Sequence, residues 1–271
     1  MACSECDGDH LSSLLTSRAI DGAFTISLNR PEIHNAFDDQ LIAELTQTLE
    51  TAGADKSIRV VVLTGEGKSF SAGADLNWMR RMAAFTEEEN YHDAMALGEL
   101  MLTLNRLPKP TIARVNGAAY GGGVGLIACC DIAISVDDVQ FALTEVKLGL
   151  IPAVISPYVV AAIGEKNARR FFLTGERFSA TDAVEIGLLN AHVPANELDY
   201  TVQKMIDLLL TAGPVAQAEA KDLIASVAHR PPTDSVVADT AERIAHIRIS
   251  PEGQEGLSAF LEKRSPKWLE K

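Results

Sequence analysis

Two short runs, RVVVL at 59–63 and TIARV at 111–115, constrain the fold more than any other feature of the chain. Both are rich in β-branched residues, and apolar side chains fall on successive positions instead of alternating with polar ones. A strand with one wet face alternates; a strand apolar on both faces belongs inside a parallel sheet covered on both sides. FTISLN (24–29), DIAISV (131–136) and VQFAL (139–143) add further strands. Helical patterns fall between them. One is capped by Asp38 or Asp39 and carries Leu41, Ile42, Leu45 and Leu49 at helical spacing, and another spans about 86–106. This β-α-β-α-β order predicts a layered α/β domain with crossover helices.

Beyond about 153 the strand signal thins. Ser179 with Asp182 three residues on reads as a capping box, and Ser250 followed by Pro251 as another helix start. The 271 residues suit one large domain, with no linker that forces a division and no internal repeat. A formal net charge of −13 argues against a nucleic-acid binder, which needs a basic surface to displace counterions. No run of about 18 apolar residues predicts a membrane span. The acidic start, MACSECDGDHLSS, has neither a signal core nor a transit pattern, so the expected location is cytoplasmic. Cys3 and Cys6 form a C-x-x-C without a second pair, so no metal site is expected there. Cys129 and Cys130 sit in an apolar stretch and read as small core residues.

Two loops follow buried strands: SAGADL (71–76) and NGAAYGGGVG (116–125). Ligands of α/β sheets collect at the carboxyl ends of strands. One backbone N–H from each loop makes a pair of donors suited to a developing oxyanion; a pair of tight turns with no ligand is the alternative. Glu145, in FALTEVKLGLIP (141–152), lies among apolar residues, where a carboxylate has either a partner or a task. Lys147 is the candidate partner, on the same face if the segment stays extended.

These pieces together resemble the crotonase family, the enoyl-CoA hydratases and isomerases. RPEIHNAF resembles that family's first turn contacting coenzyme A, and KSFSAGADLNWM its adenine and oxyanion loop. VNGAAYGGGVGLIACCDIAI resembles the second oxyanion loop and central helix, and the likeness runs on through LTEVKLGLIP, LTGERFSATDAVEIGLL and EGLSAFLEKR. The resemblance implies an α/β fold with a crotonase-like (ββα)n spiral core and a helical C-terminal trimerisation region. It divides the chain into a frayed tail (1–15), a core (16–200) and a helical region for oligomerisation and coenzyme A contact (201–271).

The same resemblance places the oxyanion donors on the N–H groups of Ala74 and Gly122. It sets Ala36, Ala72, Asp75 and Leu76 around the adenine and pantetheine, and Phe260 and Lys263 against coenzyme A in a neighbouring subunit. The implied partners are an acyl-CoA thioester and further copies of the chain, as a homotrimer or dimer of trimers. No separate cofactor is implied, since coenzyme A is part of the substrate.

Gly125 breaks the pattern. Two-carboxylate hydratases of this family carry a Glu there and a second Glu twenty residues later, where this chain has Glu145. Gly125 is read either as opening space for a bulkier acyl group or an ordered water, or as easing close helix packing. The text around the gap is most like the methylglutaconyl-CoA hydratase branch and its isohexenylglutaconyl relative, enzymes of leucine and acyclic terpene breakdown. The expected reaction is hydration of a branched or short-chain 2-enoyl-CoA, 3-methylglutaconyl-CoA-like, with Glu145 working through a water. Isomerisation of a 3-enoyl-CoA by the same Glu is the alternative; an RNA-binding or other non-catalytic role is the distant one. Lys147, Arg80 and Arg81 are the cations considered for a distal substrate carboxylate, and Trp78 and Met79 the residues considered for the acyl tunnel.

Overall fold

The computed structural model describes residues 12–228 and 230–269. The Cys3–Cys6 pair and most of the expected tail lie outside them, but Leu14 and Leu15, assigned to the tail from sequence, open a strand. β1 (Leu14–Arg18) and β2 (Ala23–Leu28) pair antiparallel, with Leu14 opposite Leu28. α1 (Asp39–Ala54) starts at Asp38, whose carboxylate accepts from the Leu41 N–H at 3.0 Å.

A strand–strand–helix order then repeats. β3 (Val60–Gly65) and β4 (Ser69–Ser71) lead to α2 (Leu76–Met82) and α3 (Glu87–Asn105). β5 (Thr111–Val115) and β6 (Ala118–Tyr120) lead to α4 (Gly122–Cys129). β7 (Ile132–Val136) and β8 (Gln140–Ala142) lead through a 3-10 turn at Glu145–Leu148 to α5 (Ser156–Thr174). β9 (Arg177–Ser179), α6 (Ala180–Glu185) and β10 (Ala191–Val193) complete the sheets. The chain then runs through α7 (Leu198–Leu210), α8 (Pro214–Val227), α9 (Asp234–Ile249) and α10 (Pro251–Glu262).

The first strand of each repeat enters a six-stranded sheet ordered β1-β2-β3-β5-β7-β10, parallel from β2 onward. The second enters a four-stranded sheet ordered β4-β6-β8-β9, antiparallel only at its last pair. Each repeat thus adds one strand to both sheets, which is the spiral expected of a (ββα)n core.

β3 shows why its run is apolar throughout. Val61 and Leu63 join the core with Leu45, Leu49 and Leu104, while Val60 and Val62 face Leu198, Val202 and Ile206 on the other side. Burying each such aliphatic side chain is worth about 1.5–3 kcal/mol, so the second face demands its own cover. α7 supplies it. The boundary drawn at residue 200 from sequence therefore falls inside a helix that belongs to the sheet it seals.

Candidate active site

The parallel strands β4, β6 and β8 end side by side, and three chemically distinct groups emerge from their carboxyl ends. Ala74 lies just past β4, Gly122 just past β6, and Glu145 just past β8. The short second sheet, whose strands carry too few residues for a legible period, is what brings them together.

The turn after β2 is stitched onto the loop after β4. Ala72 N–H donates to His34 C=O at 2.9 Å, Phe37 N–H to Gly73 C=O at 2.8 Å, and Asp75 N–H to Phe37 C=O at 3.0 Å. Fully buried Asn35 donates to the carbonyls of Glu66 and Ser69 at 2.8 Å each and accepts from Arg30 N–H at 2.9 Å. The Arg30 guanidinium donates to Ala36 C=O at 2.9 Å and reaches Asp38 at 2.9 Å and Asp75 at 3.4 Å. Asp75 in turn caps α2, accepting from the N–H groups of Asn77 and Trp78 at 2.6 and 3.1 Å. These bonds leave Ala74 N–H aside: among the described residues neither it nor Gly122 N–H donates a hydrogen bond. The two segments touch, since a Cβ built on Gly73 would lie 3.5 Å from the Gly122 nitrogen. Gly122 N–H also sits at the positive end of α4.

Glycine is required at this corner. Gly121 has φ +51°, and a Cβ there would lie 3.0 Å from Glu145 Oε1; a Cβ on Gly122 would lie 2.2 Å from Phe37 Cζ. Close backbone approach is therefore what admits the carboxylate. Glu145 opens the 3-10 turn, and its Oε2 is buried with no hydrogen-bond partner among the described residues. Burial pushes its pKa up. The ion pair with Lys147 considered from sequence does not form, because the segment turns instead of extending. The Lys147 chain packs on Gly175, whose built Cβ would lie 3.1 Å from Lys147 Cε.

Ala74, Gly122 and Glu145 line one cavity of about 620 Å³. Its walls are mostly apolar: Phe37, Trp78, Met82 and Leu97 on one side, Leu150 to Ile155 on the other. Trp78 is a lining residue and Met79 is not; Met82, one turn further, takes that place. Asn90 and Asp93 line the wall from α3, in a stretch read from sequence only as a helix. Their three-residue spacing on a helix, continued by Leu97, was the available signal.

Gly125 does not open this cavity. A Cβ built on it would lie 2.3 Å from Ile155 Cγ2 and 2.8 Å from Ile155 Cβ, with Met101 Cε at 3.4 Å. Ile155, itself a lining residue, fills the place a side chain at 125 would take, so the packing explanation replaces the open-space one. Neither Arg80 nor Arg81 lines the cavity: Arg80 donates to Asn77 at 2.7 Å, and Arg81 pairs with Asp39.

Ala36 is buried, Ala72 half-buried and Leu76 exposed beside the Ala74 loop. Phe260 and Lys263 end α10, both exposed, and neither lines the cavity of its own chain. Among the described residues no helix is long and apolar enough to cross a membrane.

A sequence model of the enoyl-CoA hydratase/isomerase family matches residues 19–271. An enoyl-CoA hydratase from Shewanella pealeana is 47% identical, with a TM-score of 0.92, covering 96% of this chain and 97% of that one. A Thermus thermophilus protein provisionally named an enoyl-CoA hydratase is 35% identical over 90% of this chain and 96% of its own. The 2,3-dehydroadipyl-CoA hydratase of Escherichia coli is 31% identical over 94% and 98%.

Proposed function

The chain belongs to the enoyl-CoA hydratase/isomerase family, and on that premise we propose that it hydrates a short-chain or branched 2-enoyl-CoA. The reading rests on one observation: a buried carboxylate oxygen shares a cavity with two backbone N–H groups, and among the described residues none of the three has a hydrogen-bond partner. Ala74 and Gly122 polarise the thioester carbonyl, drawing electron density from the conjugated double bond. Water adds its hydroxyl to the β-carbon while Glu145 accepts the water proton, and a proton passes from Glu145 to the α-carbon. The raised pKa suits this double duty, since a carboxylate closer to neutrality both takes and returns a proton more readily. Ala36, Ala72, Asp75 and Leu76 frame the coenzyme A of this chain, and Phe260 and Lys263 that of a neighbouring copy in a trimer or dimer of trimers.

Isomerisation of a 3-enoyl-CoA stays as the second reading, favoured by Ile155 filling the place of a second carboxylate. A 3-methylglutaconyl group is less well served than expected. Its distal carboxylate meets no Lys, Arg or His among the described cavity residues.

The test is product mass after incubation with crotonyl-CoA, a branched 2-enoyl-CoA and a 3-enoyl-CoA. A gain of one water on a 2-enoyl substrate, reduced about 10²–10⁴-fold in Glu145→Gln, is expected. Full hydratase activity in that variant overturns the role of Glu145; conversion of the 3-enoyl substrate alone, without mass change, makes the protein an isomerase.

A further inference from the structure

The cavity that holds Glu145 also has a polar corner that the proposed reaction does not use. Asn90 and Asp93 stand one turn apart on α3 and both line the cavity. The Asn90 amide NH₂ is spent on the carbonyls of Phe85 and Thr86, at 3.2 and 3.0 Å, which leaves its carbonyl oxygen as the group on offer. Asp93 Oδ1 accepts from the Trp78 indole N–H at 3.0 Å, while Oδ2 has no hydrogen-bond partner among the described residues. The corner therefore presents acceptors and no donor.

Among the described residues no cation balances it from within the cavity. Arg81, whose charge acts on Asp93, is paired with Asp39 and does not line the cavity. Burial foremost raises the Asp93 pKa; Asp39 adds to the rise, and the Trp78 hydrogen bond and Arg81 oppose it. The cavity thus holds two carboxyl groups, Asp93 and Glu145, among largely apolar neighbours.

We propose that Asp93, together with Asn90, makes the cavity selective: it admits an uncharged acyl chain, best one carrying a distal hydroxyl, and rejects one that ends in a carboxylate. The proposal rests on the acyl-CoA reading above. A hydroxyl finds an acceptor at the corner, whereas a second carboxylate meets like charge beside Asp93, which is half-buried next to exposed Asn90. Trp78, held by Asp93, forms the adjoining apolar wall, so the same residue sets both the polarity and the shape of the acyl end.

Calorimetric titration with three saturated six-carbon thioesters, hexanoyl-CoA, 6-hydroxyhexanoyl-CoA and adipyl-CoA, reads this without turnover. Wild-type protein and Asp93→Asn are compared, because Asn keeps an acceptor for the Trp78 indole and removes only the charge. The wild type is expected to bind adipyl-CoA at least about tenfold more weakly than hexanoyl-CoA. It binds the hydroxy compound at least as well as hexanoyl-CoA, and in Asp93→Asn the adipyl penalty shrinks at least about fivefold. An unchanged penalty in the variant, a wild-type preference for adipyl-CoA, or failure of all three to bind overturns the proposal. The wild-type ranking tests it even if the variant does not fold. Hydration of 2-hexenoyl-CoA is followed in the same preparations. Its absence beside an Asp93-dependent ranking refutes the hydratase reading and leaves the selectivity standing.

Discussion

Replacing Gly125 by Ala asks whether Ile155 really closes the space in front of it. The built Cβ falls 2.3 Å from Ile155 Cγ2 and 2.8 Å from its Cβ, well inside carbon–carbon contact. The second of these atoms is fixed to the backbone, and Met101 Cε at 3.4 Å limits retreat on another side. Overpacking of this kind costs up to about 3 kcal/mol, and the better helix propensity of Ala returns about 1 kcal/mol, leaving a net loss of about 2 kcal/mol. Ile155→Ala alone, at a site only 3% exposed, should cost about 3 kcal/mol as a cavity mutation. Together the two are not additive: Ile155→Ala removes the Cγ2 clash, though not the Cβ one at 2.8 Å, so relief of about half the overpacking should leave the double variant about 3.5 kcal/mol less stable and not about 5. Urea unfolding of wild type, both single variants and the double, at one protein concentration, gives the coupling directly. Additivity within about 0.5 kcal/mol would refute the packing account and return Gly125 to the role of opening the cavity.

Gly121→Ala should lose about 1–2 kcal/mol to its left-handed backbone and also lose turnover, because the methyl lands 3.0 Å from Glu145 Oε1. Gly164→Ala is the control, with φ +73° and nothing within 4 Å of the new Cβ; equal activity in the two variants would dissociate Gly121 from the carboxylate. The stability of Glu145→Gln should depend on pH. Burial raises the Glu145 pKa, so the folded state holds the proton more tightly than the unfolded chain. That contribution favours folding below the ordinary pKa and is lost as pH rises through the raised one. The variant should therefore gain stability relative to wild type as pH rises above the ordinary glutamate range, and a difference that stays constant with pH contradicts the buried, unpaired carboxylate.

Much of the first sheet was legible because its strands are apolar on both faces; TIARV matches β5 residue for residue. The capping box of Ser179 and Asp182 and the Ser250–Pro251 start also mark real helix ends. Of the second sheet only β8 showed, as VQFAL; β4, β6 and β9 have three residues each and are defined by partners far along the chain. Glu145 was visible as an acid in apolar surroundings, but its freedom from Lys147 depended on a 3-10 turn that the local text does not announce. Gly125 could not be read alone, because what meets it is Ile155, thirty positions later, brought back by α5 packing on α4. Asp93 was one acid among several on α3 until the fold turned that face toward the cavity.

The two N–H groups at Ala74 and Gly122 belong to the main chain. At Ala74 any residue but proline supplies the same donor, and at Gly122, where Phe37 leaves room only for glycine, the donor is still the backbone and not a side chain. The walls have no such protection: Glu145, Ile155, Trp78 and Asp93 act through groups that a single codon change replaces. If the two donors hold a thioester carbonyl as proposed, a scaffold divided in this way keeps its grip on that carbonyl while everything around it is rewritten. The readiest routes to a new reaction or a new acyl group in this chain therefore run through a few wall positions, with the carbonyl-binding frame inherited intact.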